Sequence, residues 1–331
     1  MEKISVIVPA FNAEKTIKES IQSIQVQTYS NIEIIIVDDG STDKTAEIVK
    51  QLATNDSRIE LISINNSGVS IARNIAIENS KGQYIAFLDA DDLMEVKMLE
   101  KLVGVMSENI DLACCGYTTI SEDGKELFQQ RLINKIWSEE NIYCAIENMQ
   151  ETKTFNVLWN KIFKKDIICK NNIKMNSNIS MGEDLLFIIE YIKAMENKIA
   201  LIDLPLYRYR LSSKGLQATK NGKDSLDRRL QQVKELEKVY IFKEYPKDGL
   251  YSEILRCFYT SVSESNDFNF IIKEIYNSNE YKEISKIKFK GDKKNRIFLL
   301  LLKSKSAILI KFMVSIFKHI KKIQGKQYSW D

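Results

Sequence analysis

The sequence predicts an α/β fold built on a doubly wound, mostly parallel sheet, and three observations carry that expectation. Apolar runs of strand length alternate with segments of helical period through about residue 90. Each run ends in a turn rich in Asp, Asn or Gly. The chain has 331 residues, 44% of them hydrophobic, enough to bury such a sheet between helical layers.

Taken in order, residues 4–8 are apolar at nearly every position, as a parallel strand covered on both faces requires, and Pro9 closes them. A helical pattern follows over about 13–27. Residues 32–37 form the second strand, closed by Asp38, Asp39 and Gly40, with Ser41 or Thr42 placed to cap a helix that runs to about Thr54. A third strand over 59–63, a helix over about 67–79 and a fourth strand over 83–88 complete the alternation. Helical segments near 95–108, 138–150 and 184–194 and strands near 111–117 and 198–202 are the clearest pieces beyond it.

In such a sheet, ligands bind beyond the carboxyl ends of the strands. That rule brings Pro9 to Asn12, Asp38, Asp39, Asp89, Asp91 and Asp92 to one rim. Carboxylates crowded in this way repel unless a cation or hydrogen-bond donors accompany them. No glycine-rich phosphate loop is present, so a divalent cation between carboxylate and diphosphate is the economical solution, and Mg²⁺ or Mn²⁺ suits an all-oxygen site. His319 is the sole histidine, which excludes Ser-His-Asp and Cys-His catalysis and any histidine-rich zinc site. The five cysteines show no metal-ligand spacing.

Five strings in order over residues 3–215 resemble glycosyltransferase family 2, the inverting group with the GT-A fold. They are Val6-Ile7-Val8-Pro9-Ala10-Phe11-Asn12, Val37-Asp38-Asp39-Gly40-Ser41, Gly68-Val69-Ser70-Ile71-Ala72-Arg73-Asn74, Phe87-Leu88-Asp89-Ala90-Asp91-Asp92 and Gly182-Glu183-Asp184. The resemblance implies a nucleotide pocket in which Pro9 and Phe11 flank the base, with Phe11 stacked on it. Asp39 would accept from a ring N–H, Arg73 would donate to a base carbonyl, and Asp89 would touch the ribose. Asp91 would hold the Mn²⁺ or Mg²⁺, while Asp92, read by itself, is placed to cap the next helix, since Asp at a helix start is common. Asp184 would be the catalytic base, with Glu183 beside it. Arg210 with Ser212 or Ser213 would close over the diphosphate, Arg208 competing for that role. Trp159 and Lys161 would lie near the acceptor or donor sugar, although Trp159 fits a core position equally well.

Charge divides the chain. Residues 293–330 carry ten Lys and Arg and no acid, which leaves 38 bases against 44 acids over residues 1–292. The catalytic domain is expected over 1–218 and a helical region over 219–331. Its tail, about 296–322, reads as one basic amphipathic helix suited to an anionic membrane surface rather than to nucleic acid. The alternative for the tail is packing on protein. The N-terminus runs straight into a strand and no apolar run approaches the roughly 18 residues of a spanning helix, which places the protein in the cytoplasm, peripheral on the inner membrane face.

The expected activity is metal-dependent, inverting transfer of a sugar from a UDP-sugar to a glycan or lipid-linked acceptor in cell-surface polysaccharide synthesis. Two other classes compete. A catalytically silent sugar-nucleotide-binding subunit of a glycan assembly complex would have no physical reason to keep Asp91 and Asp184. A nucleotidyltransferase would need the glycine-rich phosphate loop that is absent.

Overall fold

A computed structural model describes residues 2–178, 182–211, 222–289 and 293–323, and the chain divides into two compact units, Met1–Ser212 and Ser213–Asp331.

The first unit follows the expected alternation: β1 (Ile4–Ala10), α1 (Ile17–Gln25), β2 (Ile32–Asp39), α2 (Thr45–Ala53), β3 (Ile59–Ile64), α3 (Val69–Asn79) and β4 (Tyr84–Phe87). β1 pairs in parallel with β2 and β4, and β2 with β3. All eight residues of β2 are buried, Glu33 included, because its carboxylate accepts from the Ser5 hydroxyl and the Lys81 and Gly82 amides. Ile4, Val6 and Val8 of β1 share a core layer with Ile17, Ile21 and Ile24 of α1, the one apolar stripe of that helix.

Beyond β4 come β5 (Leu93–Met94), α4 (Met98–Val105), β6 (Ile110–Ile120), β7 (Glu126–Gln130), β8 (Lys135–Trp137), α5 (Ile142–Glu151), β9 (Lys161–Lys164), α6 (Lys165–Lys170), α7 (Glu183–Ala194) and β10 (Lys198–Arg210). The sheet order is β3-β2-β1-β4-β9-β6-β10-β5, with β7 added on β6 and β8 on β10. β9 is antiparallel to both β4 and β6, so it joins the parallel half to the β6–β10 parallel pair. Its Phe163 meets Phe87, Phe187 and Tyr191 edge-to-face, at ring separations of 5.0–5.9 Å.

Three local expectations change. Pro9 lies inside β1, opposite Val37, rather than ending it. Ser41 and Thr42 do not cap α2, whose Thr45 amide is taken by Asp43; both turn to Asn12 instead. Asp92 caps nothing, because its carboxylate is taken by Tyr207 and the Arg210 amide.

The second unit is helical: α8 (Gly222–Phe242), α9 (Asp248–Glu264), α10 (Phe268–Asn277), α11 (Asn279–Ile284), α12 (Lys293–Lys303) and α13 (Ala307–Ile323). Arg229 of α8 reaches Ser261 and Glu264 of α9, and Tyr259 packs edge-on to Phe298 of α12. The tail is two helices, not the single one its periodicity suggests. Lys305 takes a left-handed φ of 56°, and the Leu302 carbonyl at the break accepts from the Tyr276 and Tyr281 hydroxyls. Among the described residues no helix is long and apolar enough to cross a membrane.

Gly40 has φ 73°, and a Cβ there would lie 2.6 Å from the Asn66 amide nitrogen. Gly40→Ala is therefore expected to cost about 1–3 kcal/mol, read as a lower urea midpoint. An unchanged midpoint would show that the β2 turn tolerates a side chain.

Candidate active site

The loop after β1 is fastened to the loop after β2. Asn12, at φ 49°, donates its amide to the Ser41 hydroxyl at 2.9 Å and accepts from the Thr42 amide at 2.9 Å. The Ala13 amide reaches Thr45 and the Glu14 amide reaches Asp43. This stitching holds Phe11 at the end of β1 with half of its surface exposed, an aromatic face at the strand-end rim. Asp39, at the end of β2, is buried and accepts from the Ser67 and Gly68 amides at 2.7 and 2.9 Å. Each of its oxygens keeps a second lone pair.

Arg73 lies on α3 with 6% of its side chain exposed. One terminal nitrogen is 2.6 Å from Asp184 Oδ1 and 3.7 Å from Glu183 Oε1, and the other is 3.1 Å from Asp89 Oδ1. One guanidinium thus joins the end of β4 to the first turn of α7. The family resemblance implies a base contact for Arg73; the structure faces it to three acids. The sequence signal was available, because a buried guanidinium in a field of strand-end carboxylates must pair with them. Burial works against its charge, but Asp184, Asp89 and Glu183 outweigh it and hold it protonated. Burial pushes the Asp184 carboxyl up to about 7, with Arg73 pulling it down and Glu183 and Asp89 adding to the rise. A carboxylate poised there can take a proton near neutral pH.

Asp89, Asp91 and Asp92 follow β4 in sequence but serve differently. Asp92 is fully enclosed, and burial, then Asp89 and Asp91, push its carboxyl well up. It accepts from the Tyr207 hydroxyl at 2.8 Å and the Arg210 amide at 2.7 Å, pinning the end of β10. Asp91 is exposed at the rim and makes no ion pair among the described residues; enclosure by its surroundings, then the Asp89 carboxylate, raise its carboxyl. Among the described residues no three His, Cys, Asp or Glu side chains are grouped to hold a metal alone. The donor set, one rim carboxylate beside claimed acids, fits a cation whose other ligands come from a diphosphate and water, as Mg²⁺ and Mn²⁺ permit.

Arg210 is held by Glu19 at 2.7 Å, and Arg208 lies 3.7 Å from Glu95. Ser212 and Ser213 fall outside the described residues. Trp159 is buried and stacked on Tyr207 at a 4.2 Å ring separation and on Tyr209 at 5.9 Å, so its ring packs on protein. Lys161 is wholly buried; its Nζ donates to the Thr154 and Val157 carbonyls and to Asn160 Oδ1, and burial lowers it to about 8. It braces the segment that carries Trp159.

Sequence and fold are similar to those of known glycosyltransferases. A family model described as Glycosyl transferase family 2 matches residues 5–169. An uncharacterized glycosyltransferase, EpsJ of Bacillus subtilis (strain 168), is 30% identical over 257 residues, 77% of this chain and 74% of that protein. The crystal structure of S. aureus TarS 1–349 in complex with UDP-GlcNAc has a TM-score of 0.66 at 19% identity, over 96% of this chain and 92% of that one. A mannosyltransferase from Pyrobaculum calidifontis, in complex with GDP-Man and Mn²⁺, has a TM-score of 0.52 at 14% identity, over 92% of this chain and 86% of that one. The two solved structures share the fold.

The raised Asp184 carboxyl sets a pH dependence of stability. The native state keeps that proton up to about pH 7, whereas an unfolded carboxyl loses it near 3.8. Between those values the native state binds more protons, so this group's contribution to stability falls as pH rises. Asp184→Asn is expected to flatten that fall in urea titrations from pH 4 to 7; an identical slope in the variant would contradict the assignment.

Proposed function

The chain belongs to glycosyltransferase family 2, and we propose that it is an inverting enzyme that passes a sugar from a UDP-sugar to a glycan or lipid-linked hydroxyl in surface-polysaccharide synthesis. The observation that carries this reading is the Arg73 bridge, which sets the raised Asp184 carboxylate and the strand-end Asp89 on one guanidinium. A proton acceptor and a nucleotide rim then belong to one site.

Phe11 would stack on the base, beside Pro9, with Asp39 accepting from its ring N–H and Asp89 touching the ribose. A Mg²⁺ or Mn²⁺ ion held by Asp91 would neutralise charge on the diphosphate. Asp184 takes the proton from the acceptor hydroxyl as that oxygen bonds to the anomeric carbon. The bond from that carbon to the phosphate oxygen breaks, and its electron pair leaves with UDP. One displacement on the face opposite the leaving group inverts the anomeric centre and needs no covalent intermediate. Arg210, paired with Glu19 and close enough to Asp91 to lower its carboxyl, would turn to phosphate oxygens when the donor binds. The relatives' partners agree with a nucleotide-sugar donor, and the mannosyltransferase complex with Mn²⁺ agrees with the cation.

A membrane surface is the proposed second partner, on the cytoplasmic side. On α13, Ile308, Phe312 and Ile316 recur every four residues and are 79%, 64% and 39% exposed, and Leu300 of α12 is 65% exposed. They lie in a stretch with ten bases and no acid between residues 293 and 330. That charge complements anionic headgroups while the apolar strip enters the acyl boundary.

UDP release from a panel of UDP-sugars, with Mn²⁺ or Mg²⁺ and a chelator control, tests the chemistry. Asp184→Asn is expected to lose roughly 10²–10⁴-fold in rate with UDP affinity kept, whereas an undiminished rate would refute Asp184 as base. Complete inactivity of the unaltered chain with every donor and acceptor offered would favour the silent subunit. Flotation with phosphatidylglycerol vesicles should retain the protein, and Ile308→Glu with Phe312→Glu should release it. Binding that is indifferent to those changes would remove the membrane role.

A further inference from the structure

Arg73 does not fit the part that the family motif suggests for it. Its side chain is nearly sealed from solvent, its terminal nitrogens are engaged by carboxylates, and its Nε is buried with no partner among the described residues. A guanidinium so enclosed, with both terminal nitrogens turned to carboxylates, is aimed at acids and not at a base carbonyl. What it does instead is mechanical and electrostatic. It grips Asp184 by Oδ1 at 2.6 Å, so the other oxygen is the one left to meet an acceptor hydroxyl. Its second nitrogen holds Asp89 at the end of β4. α7 begins just after Gly182, at φ 94°, so the turn that presents Asp184 depends on an unusual backbone and gains from an external anchor.

We infer that Arg73 is a positioning residue, one that fixes the orientation of Asp184 and couples it to the Asp89 rim where the nucleotide sits. The inference rests on the reading of Asp184 as the catalytic base. The fork geometry matters. Two nitrogens of a planar guanidinium span two acids that approach from different elements, whereas an ammonium is a point charge that can satisfy only one of them well. Donor binding that shifts Asp89 would therefore be felt at Asp184 through one rigid group.

The charged groups around Asp184 are Arg73 of α3, Glu183 of its own helix, Asp89 beyond β4 and Lys161 of β9. Two are anionic, and Lys161 is tied to carbonyls and an amide. Among the described residues, Arg73 is the cation in contact with the carboxylate. Its removal should leave Asp184 harder to ionise, which a purely structural residue would not cause.

The test compares the full chain with Arg73→Gln, Arg73→Lys and Asp184→Asn. UDP release is followed against pH, and UDP affinity is measured by calorimetry at the same pH values. The acid limb of kcat/KM is expected to move up by a pH unit or more in Arg73→Gln, with roughly tenfold less ionised base per unit below the limb. Arg73→Lys should restore the limb while kcat stays depressed, because the charge returns without the fork. UDP affinity should change little in either variant. An unmoved limb in Arg73→Gln, or activity lost in step with UDP affinity, would overturn the inference and return Arg73 to nucleotide binding. Should Arg73→Gln not fold, the lysine variant decides alone: lowered kcat with UDP affinity kept supports positioning, and wild-type kcat overturns it. Full activity in Asp184→Asn would instead sink the base assignment itself, whatever the Arg73 variants do.

Discussion

A guanidinium taken out of water must be matched by anions, and at Arg73 that requirement draws three separate elements to one point. α3 supplies the cation, the end of β4 supplies Asp89, and the first turn of α7 supplies Glu183 and Asp184. Removing one member of a buried ion pair costs about 3–5 kcal/mol in general, so these elements are held to one centre. The second tier of contacts serves the same end. Asp92 draws Tyr207 and the Arg210 amide toward the strand ends, and Asn12 clamps the β1 and β2 loops together. Much of the rim's polar chemistry is spent within the rim, while Phe11 and Asp91 are exposed at it.

Much of this was legible in the sequence because it follows from period and position. Strands such as Ile32–Asp39 announce themselves as continuous apolar runs, and their carboxyl ends deliver acids wherever the fold is doubly wound. The GT-A architecture with a helical C-terminal part stands as the sequence suggested. Phe11, Asp39 and Asp89 could be picked out from strand-end positions alone, whereas Asp184, an acid at a helix start, was singled out only through the family resemblance.

What stayed hidden depended on long-range pairing. The Lys-Ile-Phe-Lys run of β9 is too short and too charged to read as a central strand. It is one because Lys161 finds two carbonyls and an amide oxygen inside, while Lys164 meets Asp111. Trp159 gave no sign in sequence of the tyrosines it stacks on, since Tyr207 and Tyr209 lie some fifty residues away on β10. The tail kept an unbroken amphipathic period, yet the Ser304-Lys305-Ser306 step breaks it, with the α12 carbonyl end held by tyrosine hydroxyls from elsewhere. The acids expected to bind a nucleotide directly proved first to be partners of Arg73 and of backbone amides, a distinction that residue type alone does not make.

The central claim is that one carboxylate, Asp184, deprotonates the incoming hydroxyl on the face opposite the departing diphosphate. The most direct measurement is the anomeric configuration of the sugar at the earliest times of transfer, to water or to an added acceptor, followed by proton NMR before mutarotation. From an α-linked UDP-sugar the account predicts a β-configured first product. An α-configured first product would require two displacements or front-face attack, and would contradict it.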